Sequence, residues 1–258
     1  MRVPVLRLAL ALVALGSLAG CGLSWFDEPR PAWRHEVEAR CIASGRVRET
    51  EFVKAEKEVD GPGSCGADKA YRVYAALLGT VWINEPALMN CPMTAAVDDW
   101  LNEVVQPAAM DIFGMPISDV RTFGTYSCRR INNRTIGAYS EHAFLNAIDI
   151  AAFKLGDGRE ITVLKDWYSR DPQVRQFLHR VGGESCRIFT TVIGPEGDAS
   201  HRDHLHLDLA NRSRSGKAVC RGGSREAPMS FADPEAVGSV MPKGPPILAS
   251  DPLHEQKR

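Results

Sequence analysis

His142 and Asp149 stand seven positions apart in SEHAFLNAID (140–149), and His204 and His206 stand two apart in HRDHLH (201–206). Two imidazoles and a carboxylate are a standard donor set for a four-coordinate zinc ion whose last position is left to water. Asp203 directly precedes the His-x-His pair, and His201 lies just upstream of it. A spare carboxylate beside that water is what hydrolysis needs as a general base. Of the seven histidines in the chain, four fall in these two segments, which is what raises them above chance. Singly, each piece is weak: an H-x6-D is matched by a capped turn with a surface Asp, and an H-x-H by a surface pair.

For these donors to meet, neighbouring strands must present them. Residues 147–155 and 160–164 read as two strands around the turn signal Gly156-Asp157-Gly158. Residues 120–126 read as a third strand and 204–209 as a fourth. Alternation puts Ala147, Asp149 and Ala151 on one face and Ile148 and Ile150 on the other. In the last strand His204, His206 and Asp208 share a face, with Leu205, Leu207 and Leu209 opposite. Asp203 falls in the leucine phase, so it must sit in the preceding loop or at a bulge to reach the metal water. Residues 93–113 read as a helix, with Val97, Trp100, Leu101, Val104, Val105, Ala108 and Phe113 at helical spacing. Pro107 should kink or end it. Trp100 and Trp167 are expected in the core, and His35, His179 and His254 as ordinary surface or boundary residues. Strands with flanking helices and no regular βαβ alternation point to an α+β fold, an antiparallel sheet bearing the zinc site.

The N-terminal stretch has the layout of a secretory signal peptide over 1–20: Arg2 and Arg7, then an apolar run from Leu8 to Leu18 too short for a comfortable membrane span. Leu18-Ala19-Gly20-Cys21 resembles a bacterial lipobox, which makes Cys21 the lipidated residue and the membrane a partner through that anchor. Gly22 after it points to the outer membrane, facing the periplasm. Six further cysteines remain: Cys41, Cys65, Cys91, Cys128, Cys186 and Cys220. An even count in an exported chain reads as three disulfides rather than metal ligands, since no C-x-x-C occurs. Connectivity is open; pairing neighbours in order (41–65, 91–128, 186–220) is the simplest expectation. A net charge of −1 gives no electrostatic case for nucleic acid. Residues 21–58 read as a tether with some helix, 59–222 as the domain after the break Gly61-Pro62-Gly63-Ser64, and 223–258 as a disordered Pro-rich tail.

SEHAFLNAID is similar to the S-x-H-x-x-G-x-A-x-D motif of D-alanyl-D-alanine carboxypeptidases and dipeptidases, and DHLH to the closing motif of that superfamily, which includes lysostaphin-type endopeptidases and hedgehog domains. More narrowly, residues 60–222 resemble the bacterial extensin-like C-terminal domain family, through CPMTAAVDDWLNEVVQPAA, TYSCR, SEHAFLNAIDIAAF, TTVIGP and HRDHLHLDLA. The resemblance implies the fold of the D-Ala-D-Ala metallopeptidases and one zinc ion held by His142, Asp149 and His206. It puts Asp203 at the catalytic carboxylate, with His204 and His201 at the rim, orienting substrate or stabilising the oxyanion. It puts Arg129 where a substrate carboxylate is met, and Ser140 within reach of substrate backbone. Arg129 reads equally as a plain surface charge, and Ser140 as a cap on the turn. One departure stands out: Leu145 occupies the position of the motif's glycine.

The expectation is therefore a lipid-anchored, periplasm-facing zinc metallopeptidase that hydrolyses amide bonds in peptidoglycan stem peptides or cross-links. Two rivals remain: a zinc-containing domain that binds the wall or a partner without catalysis, and an envelope lipoprotein whose histidines bind nothing.

Overall fold

A computed structural model of the chain describes residues 29–211 and 218–223. The expected signal segment, Cys21, His254 and the tail from residue 224 lie outside the described residues. The described chain opens on helix α1 (Ala32–Ala43) and three short strands, β1 (Val53–Ala55), β2 (Val59–Asp60) and β3 (Gly66–Ala67). Two longer strands follow, β4 (Ala70–Ala76) and β5 (Val81–Asn90). Helix α2 (Cys91–Trp100) continues through a π-helical turn, Leu101–Val105, into α3 (Gln106–Phe113). Then come β6 (Ile117–Gly124), β7 (Ala147–Leu155), β8 (Glu160–Thr162), α4 (Val163–Asp166) and α5 (Pro172–Glu184). Strands β9 (Thr191–Ile193), β10 (Leu205–Asp208) and β11 (Val219–Arg221) complete the set.

Among the described residues nine strands form one sheet, in the order β1-β4-β5-β6-β7-β10-β9-β11, with β8 also paired to β7. Its pairings are antiparallel except β5 with β6 and β9 with β11. The architecture is thus mixed α+β on a mostly antiparallel sheet, and the helices bury one face of it.

The long helix forms where its apolar spacing predicts, and each end has a cause. Asn90 caps it by accepting from the Met93 N–H, and Pro92 sits in the first turn, where its missing N–H costs nothing. Pro107 does not end the helix. Its ring would crowd the carbonyl four residues back, and that carbonyl lies in the wider π turn, which lets the chain pass. Gly114, at φ 69°, closes it in the left-handed conformation. Met93, Val97, Trp100, Leu101, Val104, Val105 and Ala108 are all buried against the sheet. Trp100 sits between Phe153 and Phe189 and donates its indole N–H to Ser185 Oγ at 2.8 Å. Trp167 is buried as well.

Strand β7 does not alternate simply. Thr122 of β6 faces Ile150 and Arg121 faces Ala152, so Ala151 is an extra residue. That bulge changes the phase, and Ile148, Ile150, Phe153 and Leu155 all reach the core. Asp149 is left on the open face.

One expectation needs correction. The disulfides pair Cys41 with Cys91 and Cys65 with Cys128, not neighbours in order; Cys186 with Cys220 is as expected. Sequence order fails because the fold sets Cys41 of α1 beside the start of α2, and Cys65 beside the loop after β6, contacts between segments distant in the chain. In the described part of 21–58, where a tether with some helix is expected, the helix is α1. Helix α1 is stapled to α2 by Cys41–Cys91 and buries Arg34 and Glu38, and the break at 61–64 is the turn between β2 and β3.

Ser185 joins α5 to the core by accepting from Trp100 and donating to Val181 O at 2.6 Å. Ser185→Ala leaves the buried indole N–H without an acceptor, a cost of about 1–3 kcal/mol. A matching fall in the urea midpoint at unchanged slope is expected; an unchanged midpoint would remove this bond from the account of the core.

Candidate metal centre

Strands β7 and β10 are antiparallel neighbours, and their register sets Leu205 opposite Ile150, His206 opposite Asp149 and Leu207 opposite Ile148. The four aliphatic residues are buried in one core cluster. Because side chains alternate along a strand, burying that row forces Asp149 and His206 to the opposite face as a directly paired couple. On its other side Asp149 faces Gly124 of β6, where a Cβ would meet nothing within 4 Å. The ground beside the carboxylate is therefore open.

His142 comes from the 3-10 turn Glu141–Phe144. Ser140 caps that turn, its Oγ accepting from the His142 N–H at 3.4 Å, and is itself buried. The structure gives Ser140 this positional task. The turn ends at Leu145, which takes the left-handed conformation at φ 54°, ψ 28°. The glycine of the resembling motif falls at a position where glycine is strain-free. Leucine here accepts the strain and buries its side chain against Ala67 and Ala70.

The result is a convergence of three donor atoms. His142 Nε2 lies 3.2 Å from Asp149 Oδ1 and 3.2 Å from His206 Nδ1, and His206 Nδ1 lies 2.9 Å from Asp149 Oδ1. Two ligands on a tetrahedral ion at about 2.05 Å are separated by about 3.3 Å. The cluster could hold a metal ion with little adjustment. The outer nitrogens are also placed. His142 Nδ1 donates to Thr125 O at 3.2 Å, which leaves Nε2 as the nitrogen that would be offered to an ion at the cluster. His206 Nε2 donates to Asp208 Oδ2 at 3.0 Å.

The rim is built from the segment before β10. His204 Nδ1 donates to Asp203 Oδ1 at 2.8 Å, and His204 Nε2 faces Asp149 Oδ1 at 3.6 Å. Asp203 indeed precedes the strand, which begins at Leu205. His201 packs its ring 5.2 Å from His204 and 5.7 Å from His206, and its Nδ1 donates to Asp198 at 2.8 Å. Arg129 stands in the loop after β6; its carbonyl accepts from the Ser140 N–H, tying this loop to the His142 turn. Its side chain forms no bond with the ligand trio.

Four contributors escaped the sequence reading. Asp208 was signalled by its phase in H-x-H-x-D, and Asp198 by its place three residues before His201. Thr125 acts through its carbonyl, which no side-chain motif records. Phe123 is the extra residue of a second bulge, since Thr122 faces Ile150 and Gly124 faces Asp149. That bulge aims the ring outward, 59% exposed, edge-on to His204 at 5.8 Å.

The electrostatics follow from this packing. Burial alone would push the Asp149 carboxyl up, but hydrogen bonds from His142 and His206 hold it well below the usual carboxylate range. Burial likewise opposes charge on His206, yet its bonds to Asp149 and Asp208 raise it to about 9. Metal-free, His206 is an imidazolium between two carboxylates. Burial, reinforced by the neighbouring His206 and His204 against the pull of Asp198, keeps His201 below its ordinary value.

The sign for stability follows. A pKa raised from 6.5 to about 9 on folding stabilises the metal-free fold fully below pH 6.5, and that contribution is lost as pH rises to about 9. The metal-free unfolding midpoint should fall across this window. Metal binding must expel the Nδ1 proton, so apparent affinity should rise by about tenfold per pH unit over the same range. A pH-independent affinity between 6.5 and 9 would contradict the site. Leu145→Gly removes left-handed strain worth about 1–2 kcal/mol but also a buried leucine worth about 2–5 kcal/mol. The variant should be less stable in urea; a gain would show that strain outweighs packing.

Neither the curated proteins nor the solved structures contain a match to the chain. The family model described as extensin-like protein C-terminus matches residues 39–221, a range that holds the three converging donors and the whole rim. The chain belongs to the extensin-like C-terminal family.

Proposed function

We propose that this chain is a zinc-dependent peptidase of the cell envelope, held at the periplasmic face by lipid on Cys21, that hydrolyses amide bonds in peptidoglycan stem peptides or cross-links. The observation that carries the reading is the triangle His142 Nε2, Asp149 Oδ1 and His206 Nδ1 with the Asp203–His204 pair aimed across it. Two imidazoles and one carboxylate favour zinc over magnesium or calcium, which take oxygen ligands. Bound there, zinc would supply a water of lowered pKa and polarise the scissile carbonyl. The wall as substrate is supported by the resemblance to D-alanyl-D-alanine peptidases and by three disulfides, which fit an oxidising compartment.

The roles of the rim differ from the simplest reading. Asp203 gives one carboxylate oxygen, Oδ1, to His204 Nδ1. It therefore fixes the tautomer that leaves His204 Nε2 bare and facing the cluster, as an acid orients a catalytic imidazole elsewhere. His204 Nε2 takes the nucleophile's proton and returns it to the leaving amine, while Asp203 stabilises the imidazolium. His201, neutral and donating Nδ1–H to Asp198, keeps a bare Nε2 and so accepts a substrate N–H better than it steadies an oxyanion. Arg129 is left to pair with a substrate carboxylate. Phe123 gives the rim an apolar wall for an aliphatic substrate side chain such as that of alanine.

The test is incubation of the zinc-loaded full chain with purified sacculi and mass spectrometry of the released muropeptides. His204→Ala should lose about 10²–10⁴-fold in rate. Asp203→Asn should lose about 10–100-fold, and both should keep zinc. Full activity in Asp203→Asn would sink its assigned role. No product from folded, zinc-loaded protein would overturn the peptidase in favour of a wall-binding or partner-binding domain.

A further inference from the structure

Glu141 directly precedes the candidate ligand His142, and its carboxylate is gripped from another element. Arg34 of α1 donates Nη1 to Oε2 at 2.8 Å and Nη2 to Oε1 at 2.7 Å. The pair is withdrawn from water, with side chains 7% and 13% exposed. The guanidinium carbon lies 3.6 Å from the ring centroid of Phe144, the last residue of the same turn. Asn146 donates its Nδ2 to the same carboxylate at 2.7 Å, and its Oδ1 accepts from Asn90 Nδ2 at 3.2 Å. One buried carboxylate thus ties the start of the turn to its end, and Arg34 closes the bracket across 107 positions of sequence.

A buried ion pair is poor evidence for stability, because apolar partners of similar shape often serve as well. A two-pronged guanidinium–carboxylate contact does fix orientation. What it orients here is a turn that ends in a strained left-handed leucine and must present His142 Nε2 to two atoms on separate strands. We infer that Arg34 is a positioning residue of the metal centre, acting through Glu141, and that α1 belongs to that centre although Arg34 lies ahead of the family match that begins at residue 39. The inference rests on the reading of His142, Asp149 and His206 as ligands.

A control lies in the same region. Arg30 and His35 also fasten the N-terminal segment, but through Asp68, which is no part of the turn. The full chain and three variants, Arg34→Met, Arg34→Met with Glu141→Gln, and Arg30→Met, are compared for Zn2+ affinity by chelator competition, for the visible spectrum of bound Co2+, and for the urea midpoint. Arg34→Met should lose stability, since it strands a buried carboxylate, and about 10–100-fold in affinity. The double variant removes both charges and keeps an acceptor for Asn146. It should regain most of the midpoint but not the affinity, and its Co2+ spectrum should differ from that of the unaltered chain. Arg30→Met should bind Zn2+ as the unaltered chain does. A double variant with unaltered affinity and spectrum would overturn the inference, because the clamp would then only hold the fold together. Failure of the unaltered chain to bind either ion would overturn the ligand reading itself, and the inference with it.

Discussion

The pairing of Asp149 with His206 across β7 and β10 is the constraint on which the rest depends. It arises from burial on the other side of the sheet. Leu205, Leu207, Ile148 and Ile150 form an aliphatic row whose removal from water fixes both phase and register. A slip of one residue would expose that row and bury the carboxylate and imidazole. The polar couple is held in place by its apolar neighbours, and the cost of withdrawing its two groups from water is offset by their mutual bond and by the core beneath them.

Around that couple every other part has one task. The turn capped by Ser140 and gripped by Arg34 delivers the third donor from a separate segment. Thr125 and Asp208 fix ring nitrogens from behind, as a metal site needs if its ligands are to present lone pairs rather than protons. In front, Asp203 and Asp198 each hold one imidazole. The arrangement repeats a single device, an acceptor on one ring nitrogen that decides what the other can do. Without a metal the carboxylates Asp149 and Asp208 gather a proton on His206, which is why it is shifted upward, and an ion bound there would have to displace that proton.

The order of the strands serves this geometry. β7 lies between β6 and β10, so Asp149 has His206 on one side and Gly124 on the other. At the glycine a Cβ would meet nothing within 4 Å, so the ground on that side of the carboxylate is open. The bulge at Ala151 keeps the far half of β7 in the core, and the bulge at Phe123 turns an aromatic ring to the rim. Both are irregularities of pairing, and each sits next to the centre it shapes.

Much of this was legible in the chain. The histidine and aspartate spacing marked the two segments that hold the donors, and the resemblance picked His142, Asp149 and His206 from them; the leucine and isoleucine phases named the buried face, and the apolar spacing over 93–113 named the long helix. Those signals are local: alternation and helical period are imposed by backbone geometry on adjacent residues. The disulfide pairs, the grip of Arg34 on Glu141, the turning of Asp203 to His204 and the exposure of Phe123 were not legible. Each depends on which distant segments the sheet brings side by side, or on where a register skips a residue. Sequence by itself determined which residue types could bind an ion and on which face they lie. Only the tertiary structure decided what stands behind each of them, because the partners that set a ring's tautomer or a turn's orientation come from elsewhere in the chain and carry no spacing of their own.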